Sequence, residues 1–134
     1  MRKDLHHNIK AVQALDSSQK TATATGDVID LQGFESCEIV TQTAAVTTAD
    51  GSNYFTMTVY EDDAVGMGTE AVATDLLGTA TVINASATQL NSTFRFGYNG
   101  NKRYIRVKAV ETGTADAVIG AVVILGNPHE APVA

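Results

Sequence analysis

Residues 54–61, Tyr-Phe-Thr-Met-Thr-Val-Tyr-Glu, alternate apolar and polar side chains with a period of two. Successive side chains of a β-strand point to opposite faces. Phe55, Met57 and Val59 therefore share one face, and the tyrosines and threonines share the other. Two aspartates follow and end the run. The stretch predicts a β-strand, and the rest of the chain repeats the pattern.

Further strands are predicted downstream of this one. Residues 93–98 and 103–110 alternate in the same way, and an Asn-Gly pair typical of tight β-hairpins lies between them. Residues 117–125 are almost continuously apolar. Such a run is typical of a strand that is buried on both faces at the centre of a sheet.

The composition agrees with an all-β fold. Aromatic residues make up 6% of the chain and tryptophan is absent, whereas alanine, valine and threonine are abundant. Valine and threonine favour strands because branching at Cβ restricts their first side-chain torsion. Roughly seven to nine short strands, with turns every 8–12 residues or so, indicate a single-domain antiparallel β-sandwich or barrel of a jelly-roll-like kind.

The β-domain is predicted to span residues 20–126. Residues 1–19 mix charges, two histidines and small side chains, and we expect them to form an extended N-terminal arm. A short helix over residues 3–14 is an alternative, because the apolar residues there have helical spacing. Residues 127–134 are expected to form a C-terminal tail that is disordered or bound to a partner.

Charge is distributed unevenly along the chain, whose net charge is −6. Residues 21–94 contain ten acidic residues and no lysine or arginine, whereas residues 1–20 and 95–134 each carry a net charge of +2. An acidic body repels nucleic acid, so we expect no DNA or RNA partner. The basic flanks fit two alternatives, which are docking onto an acidic protein surface and pairing with acids within the fold or between subunits.

No constellation in the sequence predicts catalysis. Cys37 is the only cysteine, which excludes an intramolecular disulfide, and its strand-like surroundings are typical of a buried thiol. His6 and His7 point apart on a strand or a helix, so they do not predict a metal site with His129. Phosphate-binding and nucleophile motifs are absent. We therefore expect no enzyme activity, no cofactor and no metal.

The lengths of the apolar runs indicate whether the chain could cross a membrane. None is long enough to cross a bilayer, so no membrane partner is expected. Residues 1–10 lack the apolar core of a secretory signal.

The tyrosines offer a different kind of function. Tyr54, Tyr60 and Tyr104 fall on the polar faces of predicted strands. Exposed rings there would form a platform that stacks on sugars, as in a carbohydrate-binding module. The alternative is that these rings bridge the core and the rim, with apolar bodies and polar tips.

Four segments, taken as a set, resemble a known family. They are DLHHNI with the residues after it (4–14), DLQGFES (30–36), GYNGNKRYIRV (97–107) and GNPH with the residues after it (126–133). Together they resemble the decoration proteins, also called cement or minor capsid proteins, of long-tailed bacteriophages and prophages. The segments span nearly the whole chain and are structural in character.

This resemblance implies a homotrimer that binds the phage major capsid protein on the outside of the head and stabilises the lattice. It implies a location on the capsid surface of the virion, after synthesis in the cytoplasm of the bacterial host. A virion-associated carbohydrate- or receptor-binding module, or a structural protein of the head–tail joint or tail, remains an alternative. Capsid or subunit contacts are predicted at Leu5, Ile9, Val12, Leu15, Lys102, Arg103, Tyr104, Arg106 and His129.

Overall fold

The computed structural model describes residues 3–133, which form ten strands, one turn of 3-10 helix (His6–Asn8) and no α-helix. The strands are β1 (Ile9–Lys20), β2 (Ala24–Asp30), β3 (Phe34–Thr48), β4 (Tyr54–Asp62), β5 (Ala71–Val72), β6 (Leu76–Leu77), β7 (Val82–Ile83), β8 (Thr93–Tyr98), β9 (Tyr104–Thr112) and β10 (Asp116–Pro128).

The strands form two antiparallel sheets that pack against each other. Sheet A has the order β1-β10-β3-β8-β6. Sheet B has the order β2-β9-β4-β5, and β7 also pairs with β4. The predicted all-β fold is therefore confirmed, and it is a sandwich.

The core lies between the sheets and contains the inward residues that the alternation predicted. Phe55 and Met57 of β4, and Ile105 and Val107 of β9, have no exposed surface. Cross-strand neighbours lie on the same face of a sheet, and Val59 of β4 is opposite Val107. The predicted faces of these two strands are confirmed.

β10 lies inside sheet A between β1 and β3, as its apolar run predicted. Only one of its faces belongs to the core, because Ile119 and Val123 are fully buried whereas Val122 is 40% exposed. The prediction that both faces are buried is wrong. No third layer covers sheet A within residues 3–133.

The N-terminal arm predicted for residues 1–19 is not confirmed, and Met1 and Arg2 lie outside the described residues. Ile9–Lys20 is β1, an edge strand of sheet A that pairs with β10. The alternative helix is reduced to the single 3-10 turn.

β1 is built into the body through its middle. Ala14 and Leu15 are both buried, and shifts of register on either side of Leu15 mark β-bulges. β2 lies against this segment at Gly26, where an added Cβ would be 1.9 Å from the carbonyl oxygen of Ala14 and 2.6 Å from that of Val107. Glycine is needed here because the neighbouring atoms belong to the backbone.

The tight hairpin predicted for the Asn-Gly pair is wrong. β8 belongs to sheet A and β9 to sheet B, so residues 99–103 cross from one sheet to the other. The ring of Tyr98 lies beside Gly100, whose added Cβ would be 2.3 Å from the tyrosine oxygen. That hydroxyl donates to the Glu61 carboxylate at 2.5 Å and accepts the N–H of Lys102 at 3.2 Å. The loop therefore wraps around a tyrosine.

The predicted tail, residues 127–134, begins within β10. Its residues up to 133 lie against the body. The N–H of His129 donates to the carbonyl oxygen of Gly33 at 2.8 Å, and the N–H of Val133 donates to that of His7 at 2.9 Å. Ala134 lies outside the described residues.

Candidate functional site: the two outer faces of the sandwich

The outer face of sheet B is charged. Glu70, just before β5, accepts hydrogen bonds from Lys108 and Arg106 of β9, with 3.1 Å between Arg106 Nε and Glu70 Oε2. The three side chains are only 17–21% exposed. The Lys108 bond and then the Arg106 bond lower the pKa of the Glu70 carboxyl. The cluster therefore ties the loop before β5 to the middle of sheet B.

The tyrosines on this face do not form an open platform. The ammonium of Lys108 lies 4.1 Å from the centre of the Tyr60 ring, and the guanidinium of Arg103 lies 5.0 Å from that of Tyr104. Each ring is therefore covered on one side by a cation. Tyr54 lies at the start of β4, opposite the last residue of β9.

Further ion pairs close one end of the sandwich. Arg103 makes two hydrogen bonds to Asp30, at 3.0 and 2.8 Å, and hydrogen bonding by Arg103 is the main reason that the pKa of Asp30 is lowered. Lys102 Nζ lies 2.6 Å from Asp63. These bases are thus paired within the chain, which is one of the two alternatives that the sequence left open.

The outer face of sheet A is of the opposite kind. Val123 and its buried cross-strand partners face the core. The residues that alternate with them along each strand therefore face outward, and their cross-strand partners face outward with them. They include Ile9, Ala11, Gln13, Gln19, Asp116, Val118, Gly120, Val122, Ile124, Gly126, Ser36, Glu38, Val40, Gln42, Thr93, Arg95, Gly97 and Leu77.

Three residues of that set are charged, and two of them pair with each other. Arg95 Nη1 lies 3.1 Å from Glu38 Oε1. Asp116 lies at one end of the face, where its carboxylate accepts a hydrogen bond from Gln19 at 2.8 Å. The outer face of sheet A therefore carries few charges, and its apolar and small residues alternate with polar ones such as Gln13.

A shallow groove of about 400 Å³ crosses this face near one end. It is lined by apolar and by acidic side chains, which are Leu5, Ile9, Ile124, Leu77, Glu35 and Glu38. Leu5 is 64% exposed and Leu77 is 57% exposed. The groove therefore has large apolar side chains that are accessible from outside.

The contact residues predicted from the sequence are placed in separate parts of the molecule. Leu15 is 2% exposed in the core, so it presents no surface for a partner, whereas Val12 is partly buried and packs against the core. Leu5 and Ile9 lie together beside the groove on sheet A. Tyr104 and Arg106 lie on the outer face of sheet B.

The remaining predicted contacts lie at the end of the sandwich. Lys102, Arg103 and His129 line a cavity of about 500 Å³ there. His129 Nε2 is 3.4 Å from Glu35, and both side chains are exposed.

The sequence reasoning missed the outward apolar residues of sheet A, chiefly Val40, Val122, Ile124 and Leu77. Val122 and Ile124 lie in the apolar run of β10, which we interpreted as buried on both faces. The available signal was the length of that run, because a strand apolar at every position needs a cover on both sides.

The described residues contain no group of three or more His, Cys, Asp or Glu side chains that could hold a metal ion. Burial is the main cause that raises the pKa of the Cys37 thiol to about 12, so the thiolate is scarce at neutral pH. Within residues 3–133, no helix is long and apolar enough to span a membrane.

Comparisons with known proteins add no information on function to these surfaces. No family model matches the chain, and searches of curated proteins and of solved structures find no significant match.

Proposed function

We propose that the chain is a structural protein of a bacteriophage head, without enzyme activity, that binds the outside of the shell as a homotrimer and stabilises the lattice of the major capsid protein. The resemblance of the four sequence segments to decoration proteins suggests this role. The difference between the two outer faces of the sandwich is the observation that carries it.

A protein that covers a larger protein needs one face for the partner and one for water. Sheet B offers a face with charged side chains that are paired with each other. Sheet A offers a face whose one ion pair is surrounded by apolar and small residues. Exposed apolar residues on such a face, here Val122 and Leu77, are a feature of protein interaction sites.

A trimer makes such a protein an effective clamp. Three linked copies of a weak contact bind far more tightly than one, because the second and third contacts form at a high effective concentration. A rigid sandwich core holds the contact surface in one shape, so little ordering entropy opposes binding.

The test uses the phage or prophage that encodes the chain. Heads from the parent and from a deletion of this gene are purified on density gradients, and their proteins are quantified by mass spectrometry. The proposal predicts that the chain is present on parent heads in multiples of three and that deletion heads release DNA at a lower temperature. Adding purified protein back should restore the parent behaviour.

A chain that is absent from purified heads would refute the proposal. A chain that is found only in tail fractions would refute it as well, in favour of a tail protein.

A further inference from the structure

The outer face of sheet A has the composition of a surface that is normally covered. Val122, near its middle, is 40% exposed, and Val40 and Ile124 beside it are half-buried. The chain has 24 charged side chains in total (9 basic and 15 acidic), yet this face carries only the Glu38–Arg95 pair and Asp116 at one end. Selection for solubility alone would place more charge on an exposed sheet.

The size of the face fits a specific protein partner. Neighbouring strands lie about 4.8 Å apart and rise about 3.3 Å per residue, so the strands of sheet A present roughly 750 Å². A stable, specific protein–protein interface covers about 800 Å² on each partner. One face of this sandwich is therefore large enough to hold a partner without help from the rest of the molecule.

We infer that the outer face of sheet A is the docking face for the shell, and that it binds an apolar, uncharged surface of the major capsid protein. This inference rests on the proposed function. It places the contact at Val40, Val122 and Ile124, with Leu5 and Leu77 at the rim, rather than at the basic residues that are paired within the chain.

A second copy is the other candidate occupant, and symmetry argues against it. A face that packs on the same face of another copy produces a two-fold dimer, whereas a closed trimer needs two different surfaces on each subunit. A trimer whose two contact surfaces lie elsewhere on the sandwich leaves the outer face of sheet A free for the shell. The charged face of sheet B then points into solvent.

Salt distinguishes this docking mode from docking through charge. Raising NaCl from about 0.1 to about 1 M shortens the Debye length from about 10 to about 3 Å and weakens contacts between exposed charges. A face with few charges predicts binding to heads that changes less than about twofold over this range, because contacts between exposed charges contribute little to it.

The deciding experiment compares two matched substitutions on opposite faces. Val122 is 40% exposed on sheet A, and Val28 is 37% exposed on sheet B. Val122→Glu places an unpaired carboxylate in the docking face, which should weaken binding by about tenfold or more. Val28→Glu lies opposite Arg106 on the other face and should bind like the parent protein.

Binding is measured by co-sedimentation of the full-length purified protein with heads from the deletion strain, after circular dichroism shows that both variants are folded. Loss of binding by Val122→Glu alone supports the inference. Binding of Val122→Glu at the parent level refutes it while leaving the proposed function intact. If the parent protein does not sediment with heads, the proposed function itself fails.

Light scattering tests whether the outer face of sheet A instead binds a second copy of the chain. A native mass that drops for Val122→Glu and stays at the parent value for Val28→Glu would assign the face to a second copy and overturn the inference.

Discussion

Replacing Leu15 tests whether the N-terminal segment is a strand of the body or an arm. Its side chain is 2% exposed in the core, opposite Ala121 of β10. Leu→Ala at a buried site costs about 2–5 kcal/mol of the free energy of unfolding, and a position on an edge strand can relax in part. We therefore expect a loss of about 3 kcal/mol for Leu15→Ala, which is a large share of the roughly 5–15 kcal/mol that stabilises a domain.

Leu5→Ala is the matched control, because Leu5 precedes β1 and is 64% exposed. A surface substitution of this kind changes the free energy of unfolding by about 0.5 kcal/mol or less. Both variants are measured by urea unfolding followed by circular dichroism, and Leu15→Ala should also lower Tm by about 10 °C. A Leu15→Ala protein as stable as the parent would show that β1 does not pack into the core.

Three further predictions concern other parts of the fold. Gly26→Ala should cost about 3 kcal/mol, because its Cβ would overlap backbone oxygens, whereas Gly66→Ala, with nothing within 4 Å, should cost little in the same urea assay. Cys37, whose pKa is raised to about 12, should resist a thiol reagent at about pH 8 until the chain is unfolded; rapid labelling of the folded protein would contradict its burial. The N–H of Thr69 is the main cause that lowers the pKa of Asp62. The contribution of the ionised Asp62 carboxylate to stability is therefore present above about pH 4 and is lost as the pH falls through the lowered pKa. The substitution Asp62→Asn should flatten the acid limb of a plot of Tm against pH.

The strands at the centre of sheet B could be predicted from the sequence because their alternation is unbroken. Phe55, Met57 and Val59 face the core as their spacing indicated. In β1 the same signal is broken, because bulges place both Ala14 and Leu15 in the core. Two adjacent buried residues do not fit a period of two, so the strand signal of this segment is weak.

The pairing of strands could not be read from local sequence. The Asn-Gly pair is a strong hairpin signal, yet β8 and β9 end in different sheets. A contact between residues distant in sequence accompanies this crossing. The Tyr98 hydroxyl donates to Glu61 on β4 and ties the loop to sheet B. A turn signal depends only on residues that are adjacent in sequence, so it does not predict which strands pair.

The candidate site was only partly visible in the sequence for the same reason. The surplus of acids in residues 21–94 left two alternatives for the bases outside that segment, and Arg106 and Lys108 follow one of them by pairing with Glu70. Which acid each base meets depends on the fold. The charge-poor face of sheet A appears only when residues of β1, β10, β3 and β8 are placed side by side.

The most direct test of the proposed function is a difference map between cryo-electron microscopy reconstructions of parent heads and of heads that lack this protein. We expect extra density on the outside of the shell, with three-fold symmetry, in which sheet A faces the capsid subunits and sheet B faces solvent. Identical reconstructions would contradict the proposed function. Density in which sheet B or the sandwich end faces the shell would keep the function and contradict the assigned docking face.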